Sequence, residues 1–190
     1  MTAPYTVRPV RAHEWREIRA LRLEALCDPA APQAFLETYE QAAARPEEFW
    51  RDRARGSAVD AGPDAVARQF VAIADDGTWV GTAVALVERA GAVDVGGSVV
   101  EESGGHVVGV YLHPDHRGRQ VMDRLFEAVT DWLGAQQLPR VRLNVHADNA
   151  RARRFYEKAG FRDTGVRFTG SIGPEVELAR PLSSSDRGSR

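Results

Sequence analysis

The most informative stretch of the sequence runs Val107-Val-Gly-Val-Tyr-Leu-His-Pro-Asp-His-Arg-Gly-Arg119 and passes straight into helical periodicity. An apolar strand that feeds a basic, glycine-containing turn at a helix start presents unpaired backbone N–H groups and the positive end of a helix dipole. That is the chemistry of phosphate binding. Arg117, Arg119 and Arg124 add fixed positive charge, and Gly118 permits a backbone conformation or ligand approach that a side chain would obstruct. The glycine-lysine-serine ending of a P-loop is missing. The same residues also fit an exposed turn with solvated arginines. A second group follows: Leu143-Asn-Val-His-Ala-Asp-Asn149, then Ala152 and Phe155-Tyr-Glu-Lys-Ala-Gly-Phe161, with Arg151, Arg153, Arg154 and Lys158 on a basic helix face. The five histidines lack the spacing of metal ligands and Cys27 is the only cysteine, so no metal and no intrachain disulfide are expected.

The elements that position these groups follow from periodicity. Alternation around Tyr5 and Val7 predicts a short strand, and His13 to Leu26 an amphipathic helix through Trp15, Ile18, Leu21 and Ala25. Residues 29–55 read as short, partly exposed helical pieces carrying Phe35, Tyr39, Phe49 and Trp50. Arg68–Ala74 and Thr78–Glu88, joined by Asp75-Asp76-Gly77, predict an antiparallel hairpin. Residues 89–105, rich in glycine, fit either a long hairpin loop or a short extra strand pair. From His106 the order becomes strand (107–112), turn (113–119), helix (120–136), strand (140–145), helix (149–159), strand (161–168), with a final strand near 175–179. Asp148 or Asn149 can cap the second of these helices, and Gly160 suits its C-terminal end. The fold class expected is α/β (α+β), a mixed antiparallel and parallel twisted sheet flanked by helices. It forms one domain over residues 1–182, with a flexible polar tail at 183–190.

Composition sets outer limits. The chain has 190 residues, 43% hydrophobic and 27% charged, the proportions of an ordinary globular protein with one sizeable core. Its 25 basic and 27 acidic side chains leave a net charge of −2, which offers no general attraction to nucleic acid or anionic membrane. Lys158 is the single lysine, so the basic set is almost wholly arginine, whose planar fork suits phosphate oxygens. No apolar signal core opens the chain and no stretch approaches the length of a membrane span, so a cytoplasmic protein is expected.

In these motifs the chain resembles the GNAT acyltransferases. The resemblance rests on Leu112, Pro114, Arg117 and Gly118 in the turn, on Asn149 at the strand exit and on the Phe155-Tyr156 to Gly160-Phe161 motif, and it spans roughly residues 5–180. It implies acetyl-CoA as the acyl-donor cosubstrate, bound by Val110, Tyr111, Leu112, Arg117, Gly118, Arg119, Gln120, Val121, Met122, Asn149 and Tyr156. Where the family places small residues in its turn, this chain has Gln120 and Met122; an N-terminal helical conformation needs no positive φ and so tolerates them. The implied reaction is acetyl transfer to a primary amine, which must lose a proton to attack a thioester. By position His106 matches the family's usual base, and an imidazole suits that role; Glu101, Glu102 and His146 are alternatives. Tyr156 matches the family's proton donor to the leaving thiolate, with a packed core tyrosine as the competing reading. A backbone N–H near Gly109 or Val110 would hold the oxyanion. The acceptor pocket is expected between Phe35 and Tyr39 on one side and Phe168 on the other, where Glu37, Glu40, Glu47 and Glu48 would draw a cationic amine. The expected partners are acetyl-CoA and a small amine, neither nucleic acid nor membrane, with a homodimer left open. The alternative is a fold of this type that binds CoA weakly and acts as a regulatory or partner-binding module.

Overall fold

The computed structural model of the chain describes residues 5–182, and the polar tail expected at 183–190 lies outside them. The elements are β1 (Tyr5–Pro9), α1 (Trp15–Leu26), α2 (Tyr39–Ala43), α3 (Glu47–Ser57), β2 (Ala67–Ala74), β3 (Trp79–Glu88), β4 (Gly104–Leu112), α4 (Val121–Ala135), β5 (Arg140–His146), α5 (Ala150–Lys158), β6 (Arg162–Gly170) and β7 (Gly173–Pro181). Seven strands form one mixed sheet in the order β1-β2-β3-β4-β5-β7-β6. Every neighbouring pair is antiparallel except β4 and β5. The strand-helix-strand rhythm of the second half thus places β4 and β5 side by side, but β7 inserts between β5 and β6. Residues 89–103 carry a single antiparallel bridge, Val93 to Val99, which is the minimal form of the hairpin loop. The Asp75-Asp76-Gly77 connection turns as expected, with Gly77 N–H donating to Ala74 O and a left-handed Gly77.

Strand alternation divides the core. On one face Phe70, Ala72, Ala83, Ala85, Val107, Val141 and Leu143 pack against Leu125, Phe126, Val129 and Leu133 of α4, joined by Tyr156 and Phe161. On the other, Val71 and Tyr111 meet Ile18, Leu21 and Ala25 of α1 and the fully buried Trp50 and Ala54 of α3. The second face is covered by α1 and α3 only over the first strands. Farther along it, β5 and β7 present Arg142, Asn144, His146, Glu175 and Glu177.

Two irregularities place the site. The β4–β5 ladder consists only of Gly105 with Val141 and His106 with Arg142, after which the strands part. On its other edge β4 slips one residue against β3, since Val108 faces Val84 while Tyr111 faces Thr82. Gly109, at φ +60°, takes up the extra residue as a bulge that bends β4. The paired end is clasped by a buried ionic cluster. Arg142 donates through Nε and Nη2 to Glu88 at 2.9 and 3.0 Å, through Nη2 to Asp94 at 2.7 Å and through Nη1 to Glu177 at 3.3 Å. His106 Nδ1 lies 2.7 Å from Glu88 Oε1. Burial alone would raise the Glu88 and Asp94 carboxyls, but the bonds from His106 and Arg142 to Glu88, and from Arg142 and the Ser98 and Gly96 amides to Asp94, outweigh it and hold both below the ordinary carboxylate range.

The start of α4 corrects one expectation. Gln120 does not take a helical backbone conformation: it is the N-cap at φ +61°, ψ +13°, in the left-handed region that glycine adopts without strain.

Removing the clasp should be costly. Arg142→Leu leaves Glu88, Asp94 and Glu177 without their shared cation, and denaturant unfolding at pH 7 should show a loss of about 3–5 kcal/mol. The wild-type carboxylates stabilise above their unfolded pKa near 4 and lose that contribution as pH falls through their lower folded values. In Arg142→Leu the unpaired, buried carboxyls are raised instead, so its deficit should shrink between pH 7 and pH 4; a constant deficit would remove the cluster as its source. At the turn, Gln120→Gly relieves the left-handed strain and should raise stability by about 0.5–1 kcal/mol, read as an increase in Tm.

Candidate active site

The parted strands open onto a cavity of about 380 Å³, within the ordinary range of small-molecule sites. Its walls come from β4, the start of α4, one flank of α5 and the segment after α1. Val110, Tyr111 and Leu112 line it from the bulged end of β4, where no ladder pairs join β4 to β5, so an extended ligand has a free strand edge to bond. Arg117, Gly118, Gln120, Val121, Met122 and Asp123 line it at the helix start. Asn149 and Tyr156 complete the opposite wall.

The helix start leaves room and free amides for an anion. Thr38 caps α2 by accepting from Gln41 N–H, and Asn149 caps α5 by accepting from Ala152 N–H at 3.1 Å. The start of α4 has no side-chain cap, which leaves its first amides facing the cavity wall without a side-chain acceptor. Phosphate oxygens are suitable acceptors for those amides, and the residues present therefore fit a pyrophosphate-bearing ligand.

The arginines divide differently from the sequence expectation. Arg117 lines the cavity, but its guanidinium is tied to Leu112 O at 3.0 Å and to Asp28 at 2.5 Å, so it fixes the turn while lending its charge. Burial would raise the Asp28 carboxyl, but the Ala30 amide and Arg117 hold it below its usual range. Arg119 is absent from the cavity wall and reaches the Tyr5 hydroxyl at 3.4 Å, while Arg124 donates to Tyr5 O at 2.7 Å. Both tie α4 to β1. Arg151 and Lys158 of α5 do line the cavity, as do Ala30, Ala31 and Ala34. The alanine-rich run after Pro29 was the available signal for that wall, since small side chains leave room beside a ligand.

Tyr156 is both packed in the core and part of the cavity wall. Its ring packs with Phe126, Phe155 and Phe161 at centroid distances of 5.5, 5.6 and 6.2 Å. Its side chain lines the cavity, and its hydroxyl bonds to no described residue. Burial pushes the phenol well above its ordinary pKa, so it stays protonated near neutrality and can donate a proton. His106 is placed elsewhere: only 2% exposed and bonded to Glu88, it stands outside the cavity wall at the clasped end of β4. Glu101 and Glu102 are exposed in the loop before β4. His146, buried at the end of β5, accepts from Asp148 N–H through Nδ1.

Of the expected acceptor residues, Phe35 lines the cavity, Tyr39 is 43% exposed at the start of α2, and Phe168 sits on β6 opposite Glu175. The early acidic residues are largely spoken for. Glu37 binds Arg22, Glu47 binds Arg51 and Glu48 binds Arg55. One group of donors has metal-like spacing, Glu88, Asp94 and His106 within 4.8 Å of one another. The Arg142 guanidinium is bonded to both carboxylates, so a metal ion there would have to displace one cation with another.

No curated protein matches the chain. Among solved structures it is similar to the ribosomal-protein-S5-alanine acetyltransferase of Vibrio fischeri, at 17% identity and a TM-score of 0.71 over 100% of this chain and 98% of that one. It is similar to the PaiA N-acetyltransferase of Thermoplasma acidophilum in complex with coenzyme A, at 14% identity and a TM-score of 0.67 over 93% and 98%. It is also similar to a phosphinothricin acetyltransferase of Sinorhizobium meliloti in complex with AcCoA, at 17% identity and a TM-score of 0.70 over 98% and 92%. At these identities the likeness concerns the fold. The family model for the acetyltransferase (GNAT) family matches residues 22–161, and the chain therefore belongs to the GNAT acetyltransferases.

Proposed function

We propose that this protein moves an acetyl group from acetyl-CoA to a primary amine of a small-molecule acceptor, in the cytoplasm. The observation that carries this reading is the single cavity that joins the uncapped start of α4, the free edge of β4 and Tyr156. In this arrangement the first amides of α4, with Arg117 beside them, bind the pyrophosphate of CoA. The free edge at Val110–Leu112 orients the pantetheine arm toward the Gly109 bulge. In the reaction the amine nitrogen forms a bond to the thioester carbonyl carbon, and the carbon–sulfur bond breaks. A backbone N–H at the bulge donates to the carbonyl oxygen as it gains charge. Tyr156 gives its proton to the departing thiolate. His106 is the proposed base. Its buried position means that the amine proton reaches it through water, with Nδ1 engaged by Glu88 and Nε2 left as the basic nitrogen.

A second reading has its own observation. Gln120 and Met122 both line the cavity where the family's turn carries small residues, and Gln120 is held in a strained conformation. A fold that binds CoA weakly and serves as a regulatory module would carry such residues.

Calorimetry separates the two readings. Acetyl-CoA should bind in the micromolar range, and absence of binding at millimolar concentration would favour the regulatory module. Given binding, Tyr156→Phe should lower kcat at least tenfold while changing acetyl-CoA affinity less than threefold, and an unchanged kcat would remove Tyr156 as the acid. For the base, His106→Gln should abolish the acidic limb of the kcat/KM profile, and retention of that limb would reject His106.

A further inference from the structure

Beside the main cavity, on the other side of Tyr111 and Phe35, lies a second and much narrower one of about 10 Å³, with room for one oxygen-sized group. Tyr111 and Phe35 line both, and Gly109 of the bulge faces the narrow one while Val110 faces the wide one. The narrow cavity therefore adjoins the bulge, where the proposed reaction would deliver the acetyl group. Its polar wall is formed by Arg22 of α1, Arg53 of α3, and Gln69 and Thr82 of β2 and β3.

These polar groups are not balanced against one another. Arg22 stacks over Phe35 at 4.2 Å and donates through Nε and Nη2 to a single oxygen of Glu37, at 2.9 and 2.8 Å. Arg53 carries no hydrogen bond or ion pair from its guanidinium among the described residues. Two guanidinium groups thus share one carboxylate, leaving one positive charge in excess. A half-buried cation without a counter-ion is costly, and burial together with the neighbouring Arg22 holds the Arg53 guanidinium below its ordinary pKa. Gln69 supplies an independent sign of a missing partner. The Thr82 hydroxyl donates to Phe70 O and accepts from Gln69 Nε2, which orients the amide and leaves the buried Oε1 without a partner. Gln69 itself is 4% exposed.

We infer that the acceptor is an amine that also bears a carboxylate, of the amino-acid class. Its carboxylate is held by Arg53 and the free side of Arg22. This rests on the acetyl-transfer reading and narrows its substrate. It also reverses the charge expected from the acidic residues of the early helices, because Glu37 is consumed by Arg22 and the remaining excess is positive. The narrow cavity admits only an oxygen tip, so the carboxylate is the anchored end and the rest of the acceptor lies toward the bulge.

The test compares matched amines by release of CoA thiol: L-amino acids against their amides and the corresponding decarboxylated amines. The carboxylate members should have kcat/KM at least tenfold above their partners, and Arg53→Gln should reduce that ratio to near one, with Arg53→Lys retaining part of it. Equal use of the amides, or a preference that survives Arg53→Gln in a folded variant, would overturn the inference. A binding arm does not depend on turnover. N-acetylglycine should raise the Tm of the wild type above the effect of N-acetylglycinamide, and Arg53→Gln should lose that difference; no difference in the wild type also overturns the inference. Acetyl-CoA calorimetry on the same samples distinguishes this failure from failure of the acetyl-transfer reading, since an enzyme that binds acetyl-CoA yet ignores the carboxylate contradicts only the acceptor class.

Discussion

The parting of β4 from β5 is the constraint on which the rest of the molecule depends. Two neighbouring parallel strands would normally pair along their length, yet here they share only the positions of Gly105 and His106 with Val141 and Arg142. Both ends of that exception have a physical cause. At the paired end, Arg142 draws Glu88, Asp94 and Glu177 onto one guanidinium, binding β3, β5, β7 and the 89–103 loop together, with His106 of β4 attached through Glu88. At the open end, the bulge at Gly109 bends β4 away while keeping it on β3. The result is a clasped V whose free edges line the cavity, with α4 and α5 supplying the walls.

Arginine performs several distinct tasks in this chain, and they separate by partner. Arg142 is a buried tie within the sheet, whereas Arg124 and Arg119 tie α4 to β1 through Tyr5. Arg117 braces the turn between Leu112 O and Asp28. Arg53 differs from all of these in having no partner at all among the described residues. A guanidinium that organises its own fold is satisfied by that fold, whereas one left over in a half-buried position is free to meet a group brought from outside.

The turn before α4 shows a similar division between fold and site. Asn149 satisfies one of the first amides of its helix with its side chain, while α4 begins on a strained Gln120 whose side chain caps no amide. Stability is given up at the helix start that faces the cavity, as is common where backbone groups are reserved for a ligand.

Much of this was legible in the sequence, because it depends on residues close together in the chain. Apolar periodicity over Val121 to Leu133, the Asp-Gly turn, the Asn149 cap and the motif ending at Gly160 and Phe161 each act over a few residues, so the hairpin, α4, α5 and most of the cavity wall could be read directly. The family turn was visible for the same reason. What only the tertiary structure decided concerns groups distant in sequence: that β7 would lie between β5 and β6, that His106 would be drawn into the Glu88–Arg142 cluster and away from the cavity, and that Arg119 and Arg124 would be spent on Tyr5. Charges were the least predictable. A side chain's electrostatic role depends on which opposite charge folding places within a few ångströms, and no local pattern records that Glu37 would neutralise Arg22 while Arg53 stayed alone.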